Sequence, residues 1–189
     1  MLMVGLTGNY GMGKSTVLDM FRQLGAVTIK ADGIVDLLLH DTAVLAQISG
    51  LLGDGVFSTS GSLEKKKVAS IIFKDRDKRD ALEKILHPLV FQRIREITDR
   101  LVRNDSRNKI VIIEIPLLFE KRYGDQVQKT ITVYTDEETA LKRLGRAGIT
   151  REDALMRLDA QMPVREKVQR SDFTINNSGT LEETKAQVE

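Results

Sequence analysis

Residues 8–15 read Gly-Asn-Tyr-Gly-Met-Gly-Lys-Ser and follow the apolar run Leu2–Thr7 without a break. Few architectures accommodate a glycine-rich turn that closes on Lys-Ser. Glycines reach backbone conformations that other residues avoid, and they let main-chain N–H groups approach an anion closely. A helix starting at Lys14 would aim the positive end of its dipole at the same point. The octet fits G-x-x-x-x-G-K-[ST] without a mismatch, and its context is the required one. A strand precedes it, and Val17, Leu18, Phe21 and Leu24 follow at helical spacing. The bland alternative is an ordinary strand-to-helix turn with an exposed lysine; motif and context together favour a phosphate site that binds a nucleoside triphosphate. In that reading Gly8, Asn9, Tyr10, Gly11, Met12, Gly13, Lys14, Ser15 and Thr16 surround the phosphates. Lys14 bridges the β- and γ-phosphates, and the Ser15 hydroxyl ligates Mg²⁺.

The remaining pattern alternates between two periods. Val27–Lys30, Lys109–Ile115, Thr130–Tyr134 and Phe173–Ile175 join Leu2–Thr7 as short, largely β-branched runs that read as buried strands. Helical spacing fills the intervals, including 14–24, 34–39, 137–146 and 150–160. Thr150 with Asp153 and Thr180 with Glu183 have the spacing of helix-capping pairs. Strands alternating with helices predict an α/β fold, a doubly wound parallel five-stranded sheet, and the glycine octet after its first strand makes it of the P-loop NTPase/kinase type. Between the second and third strands, residues 42–102 are helix after helix, which predicts an inserted helical lobe within one domain spanning 1–189. In that lobe, helices are expected over 43–52, 63–73, 77–86 and 89–102. The break between the last two is placed at His87-Pro88, because proline disfavours helix at the residue before it.

Composition excludes several chemistries. The chain has 189 residues and no cysteine, so a thiol nucleophile, a disulfide scaffold and a zinc finger are excluded. Two histidines, His40 and His87, leave little material for a histidine-rich metal centre. With 29 basic and 27 acidic residues of scattered sign, nothing reads as a nucleic-acid face; Lys65–Lys67 beside Glu64 reads as a solvated helix start. The apolar runs 110–113 and 115–119 are too short to span a bilayer. The N-terminus shows no export pattern, so a cytoplasmic protein with no membrane partner is expected, and nothing bears on oligomeric state.

Other residues suggest where the phosphate goes. Asp32 follows the second strand, where a doubly wound fold places its functional loops. A carboxylate there serves either as a base for an acceptor hydroxyl and an orienter of Mg²⁺, or as a helix N-cap. Arg143 and Arg146 flank a glycine-containing turn and are candidates to close over transferring phosphates, whereas Arg151 and Arg157 read as a solvated face. The third strand carries Glu114 instead of the aspartate of motor-type ATPases, and no N-K-x-D guanine signature is present. These features favour a small-molecule kinase.

The order of motifs narrows this further. VGLTGNYGMGKSTV at the front, KAD at 30–32, LHP at 86–88, IPLLFE at 115–120, LKRLGR at 141–146, Gln161 and INNSG at 175–179 together resemble the dephospho-coenzyme A kinase family, from Leu2 to about Gly179. The resemblance implies ATP-dependent phosphorylation of the ribose 3′-hydroxyl of dephospho-CoA, the last step of coenzyme A synthesis. It implies Asp32 as base, a CoA-side helical lobe, a lid over about 143–162 bearing Arg143 and Arg146, and adenine held near Asn177. Thr7, Phe119 and Glu120 fall on the expected acceptor cleft, with core packing an equal reading for Phe119. His87 reads first as a packing residue at a helix end, and second as an acceptor contact. Departures from the family pattern are Lys30 in place of an aspartate, Asp36 and Lys65 where arginine is common, and Asn9, Tyr10 and Met12 within the loop. The competing functions are a nucleoside or nucleotide kinase of the same fold and a non-catalytic ATP-binding module.

Overall fold

β-Branched side chains pack well on a pleated, two-sided surface, and the runs rich in them become the strands. In a computed structural model that describes residues 1–104 and 110–189, these are β1 (Leu2–Thr7), β2 (Val27–Lys30), β3 (Ile110–Glu114), β4 (Lys129–Tyr134) and β5 (Phe173–Asn176). They form one parallel sheet in the order β2-β3-β1-β4-β5. Lys109, expected to open the third strand, lies outside the described residues. The helices are α1 (Lys14–Gln23), α2 (Ala31–Leu38), α3 (Thr42–Leu52), α4 (Lys65–Lys74), α5 (Arg76–Asn104), α6 (Glu137–Arg146), α7 (Arg151–Asp159), α8 (Val164–Arg170) and α9 (Leu181–Val188). Among the described residues no single helix is long and apolar enough to cross a membrane.

The chain divides into two compact units. The first, Met1–Lys30 with Asn104–Glu189, holds the sheet. Its core joins Val4 and Leu6 of β1, Ile112 of β3, Val133 of β4 and Ile175 of β5 to Val17 and Leu18 of α1 and Val188 of α9. β1 is central, paired to β3 through Leu6↔Glu114 and to β4 through Thr7↔Thr132. Parallel pairing brings the carboxyl ends of neighbouring strands to one edge, and there the chain turns into the glycine loop. Both capping pairs form: Thr150 accepts from the Asp153 N–H, and Thr180 and Glu183 complete a reciprocal box at the start of α9.

Asp172 fastens the outer strand. Its carboxylate accepts from Lys129 Nζ at 2.9 Å and from the Thr130 N–H and hydroxyl at 2.8 Å each. The Lys129 ammonium, with the Thr130 donors, holds this carboxyl down at about 2.

The second unit, Ala31–Arg103, is helical, with an apolar cluster that includes Val44, Ile48, Val56, Val68, Leu82 and Leu86. It takes in α2 as well as the expected 42–102. α2 begins at Ala31 rather than Ile34, so Asp32 lies in its first turn and is not its N-cap. Asp41 caps α3, accepting from the Ala43 and Val44 N–H groups. Leu63 pairs with Phe57 in a bridge instead of opening a helix, and α4 starts at Lys65 after Glu64.

The expected break at His87-Pro88 does not occur: α5 runs through it from Arg76 to Asn104. Proline removes one helical hydrogen bond, from the carbonyl of Lys84, an exposed residue on the side that water can reach. Leu82, Leu86 and Leu89 meanwhile pack into the same cluster on both sides of the proline. Burial worth about 1.5–3 kcal/mol per large side chain outweighs the lost bond.

Because Asp172 has its carboxyl lowered on folding, the stability it contributes is present above its ordinary 3.8 and is lost as pH falls toward about 2. Asp172→Asn is therefore expected to lower the melting temperature at neutral pH and to flatten its decline between about pH 4 and pH 2. Thermal unfolding followed across that range measures both.

Candidate active site

The loop between β1 and α1 is shaped by close approach. Gly8 has φ 147°, and a Cβ there would lie 2.3 Å from the Val133 carbonyl oxygen of β4. Gly13, at φ 88°, caps α1 in the left-handed region, and a Cβ on it would meet Asn177 Nδ2 at 2.0 Å. With no side-chain cap on α1, the orphan N–H groups of its first turn are available to an anion. Lys14 Nζ folds back over the loop and donates to the Asn9 carbonyl at 3.1 Å. Ser15 and Thr16 are exposed in the same first turn. The Ser15 hydroxyl is a hard oxygen donor beside the cradle, which suits a Mg²⁺ that arrives bound to ATP phosphates.

Arg143 and Asn177 complete this side of the cradle. Arg143 Nη2 donates to the Asn177 carbonyl at 2.8 Å, while its Nη1, near Gly13, is buried without a hydrogen-bond partner among the described residues. A guanidinium held by one arm, with the other turned toward a phosphate loop, is poised to donate to anionic oxygens. Arg146 is exposed in the last turn of α6. The Asn177 side chain is buried and bonds to the loop itself, from Nδ2 to the Met12 carbonyl at 3.0 Å.

The loop positions that the motif leaves free tie it to the segment after α6. Tyr10 N–H donates to Gln161 Oε1 at 2.8 Å, and Asn9 Nδ2 donates to the Met162 carbonyl at 3.0 Å. Arg157 donates to the Tyr10 hydroxyl at 3.0 Å and lies 5.0 Å from its ring centroid, a cation–π contact. Arg157 is exposed, as its reading as a solvated residue expects, and has in addition a specific partner. The sequence carries no signal for that pair, because Tyr10 and Arg157 each look ordinary alone. Met12 ties the loop to the end of β4 as well: its sulfur accepts from the Thr135 N–H. A cleft of about 950 Å³ opens here, walled by Asn9, Met12, Thr135, Asp136, Gln161 and Ser178 among others.

Two expected acceptor residues of this unit are engaged inward. Thr7 donates its hydroxyl to the Pro116 carbonyl at 3.0 Å. Glu120 Oε1 accepts from the Met162 N–H at 3.1 Å and from Lys167 Nζ at 2.8 Å. Lys167 is fully buried and also donates to the Pro116 carbonyl at 2.9 Å. Its burial pushes the ammonium below the ordinary lysine range, against the opposing pull of Glu120. Phe119 is half-buried. Sequence reasoning missed Lys167, since a lone lysine in an amphipathic helix reads as surface.

In the helical unit Asp32 is exposed in the first turn of α2, and His87 is half-buried in mid-helix. Asp32 and Asp36, one turn apart, line a cavity of about 340 Å³ with Lys65 and apolar residues including Val35, Leu63 and Leu86. Lys65 and Asp36, two of the departures from the family pattern, form an ion pair with each other.

A family model described as CoaE, dephospho-CoA kinase, matches residues 2–183. The chain is 40% identical to the dephospho-CoA kinase of Geobacillus kaustophilus over 189 residues, 99% of this chain and 93% of that protein. Among solved structures, TT1252 from Thermus thermophilus matches with a TM-score of 0.86 at 31% identity, covering 98% of this chain and 93% of the other. The dephospho-CoA kinase from Campylobacter jejuni matches with a TM-score of 0.67 at 28% identity, covering 98% and 92%.

Removing one member of a buried ion pair strands the other without water. Lys167→Met is accordingly expected to cost about 3–5 kcal/mol, and adding Glu120→Gln is expected to recover most of that loss. Urea midpoints of the two single variants and the double variant form the cycle that measures it.

Proposed function

The chain belongs to the dephospho-CoA kinase family, and from that premise we propose that it transfers the γ-phosphoryl group of ATP to the ribose 3′-hydroxyl of dephospho-CoA. The observation that carries this reading is a family match over residues 2–183 on a chain whose phosphate cradle is fully assembled. In the transfer, the 3′-oxygen forms a bond to the γ-phosphorus as the bond to the β-bridging oxygen of ADP breaks. The hydroxyl proton goes to Asp32.

Each group has a physical reason for its role. Loop N–H groups and the α1 dipole hold the phosphates, and Lys14 and Arg143 offset the charge that spreads over the γ-oxygens in a loose transition state. Arg146, exposed on α6, closes from the lid side as nucleotide binds. The Ser15 hydroxyl would hold a Mg²⁺ arriving with ATP, which would supply positive charge against the phosphate oxygens. Asp32 is exposed, so its carboxylate is available as a base, and the Asn177 segment receives adenine.

On the acceptor side, an apolar cavity rimmed by Asp32, Asp36 and Lys65 suits a molecule that joins a long uncharged arm to phosphates. We assign direct acceptor contacts to Phe119 and His87. Thr7 and Glu120 act through the loop Pro116–Lys121, which their hydrogen bonds hold. The setting is the cytoplasm, where both substrates are small molecules and no nucleic acid or membrane takes part.

Incubation with Mg-ATP and dephospho-CoA is expected to yield CoA and ADP in equal amounts. A nucleoside or nucleotide acceptor with the higher kcat/KM would replace this reading by a nucleotide kinase; tight ATP binding without transfer to any acceptor would leave a binding module. Asp32→Asn is expected to lower kcat by about 10²–10⁴-fold while leaving ATP affinity within about threefold. Steady-state kinetics with nucleotide titration separates the two effects.

A further inference from the structure

Asn177 is a junction of hydrogen bonds at the phosphate loop. Its backbone N–H donates to the Tyr134 carbonyl at 2.8 Å, continuing the pairing of β5 with β4. Its carbonyl accepts from Arg143, and its Nδ2 donates to Met12. Its Oδ1 accepts from the hydroxyl of Thr184 at 2.9 Å. Thr184 is fully buried on α9 and is far from the loop in sequence.

An amide is asymmetric, and this one must present its N–H₂ end to Met12; turned over, it would set two oxygens against each other. The donor at the opposite end selects the orientation. Thr184 does not itself require Asn177, because the Thr180 carbonyl lies 3.0 Å from the same hydroxyl as an ordinary helical acceptor. The requirement runs the other way, since the buried Asn177 oxygen needs a donor. In its present position the amide lies against Gly13, where a Cβ would come within 2.0 Å of Nδ2.

Resting on the ATP reading above, we propose that Thr184 is a positioning residue for nucleotide binding. Through the Asn177 amide it fixes the loop at Met12 and, through the Asn177 carbonyl, the guanidinium of Arg143. It touches no phosphate. Its effect passes through the angle at which the loop N–H groups and the free arm of Arg143 converge.

The test is the Kd for Mg-ADP, measured by calorimetry on the full chain, with Thr184→Val, Thr184→Ser and Val188→Ala compared with the parent. Thr184→Val keeps the shape and removes the donor, and it is expected to weaken Mg-ADP about tenfold. Thr184→Ser, which keeps the hydroxyl, should bind within about twofold of the parent. Val188→Ala, which thins the core under the same helix, should lower the melting temperature and leave the Kd unchanged. Thr184→Val binding as tightly as the parent, or Val188→Ala weakening binding as much, overturns the proposal. Because Kd is read without turnover, a parent that binds Mg-ADP but does not phosphorylate dephospho-CoA contradicts only the acceptor assignment. A parent that binds no nucleotide overturns both.

Discussion

The site depends on a contact that excludes side chains. The backbone at Gly8 presses against the Val133 carbonyl, and Gly13 lies against the Asn177 amide, so the loop is fixed by its neighbours as well as by its own glycines. That requires the end of β4 to sit beside the end of β1, and the end of β5 beside that of β4. The order β2-β3-β1-β4-β5 supplies this arrangement, with β4 paired to β1 on one side and to β5 on the other. Fold and chemistry are coupled at this point: a shift of the outer strands would move the loop.

Buried polar groups extend that coupling beyond the loop. Pro116 accepts from both Thr7 and Lys167, and Met162 links Glu120 to Asn9 through its N–H and its carbonyl. The loop after β3, the start of α8 and the phosphate loop therefore share one set of hydrogen bonds. The set is not fully satisfied, since Asn9 Oδ1 and Glu120 Oε2 are buried without a partner among the described residues, and an open acceptor in such a set makes it costly to disturb further. Tyr10 and Arg157 add a more exposed tie between the phosphate loop and α7.

The parts legible in the sequence were those with a short physical signature. Strand runs, the glycine octet and the Thr180–Glu183 box are local patterns whose geometry follows from neighbouring residues. Arg143 reads in the sequence as closing over phosphates and Asn177 as adenine-holding; in the structure both lie at the phosphate loop, and the Asn177 side chain bonds to the loop backbone. Pro88 misled because a local rule met a stronger tertiary one, the packing of Leu82, Leu86 and Leu89 in one cluster. Lys167, Thr184 and the Tyr10–Arg157 pair were illegible because each gains its meaning from a partner distant in sequence. Asp36 and Lys65 show the same limitation from the other side: read singly they are departures from the family, and in space they neutralise each other.

β2 and β3 are neighbours in the sheet, yet the whole of Ala31–Arg103 lies between them in the chain. A minimal crossover between parallel strands needs about a dozen residues. Closure entropy grows only logarithmically, by about 0.6 kcal/mol per doubling of length, so the helical unit in its place adds roughly 1–2 kcal/mol to the cost of forming that strand pair. Evolution could therefore remodel the crossover, lengthening or recutting it for a different acceptor, at little thermodynamic expense to the sheet. The phosphate loop, hemmed in on two sides, has no comparable latitude. The architecture divides its own mutability, and descent is free to explore one part of the chain while the other stays still.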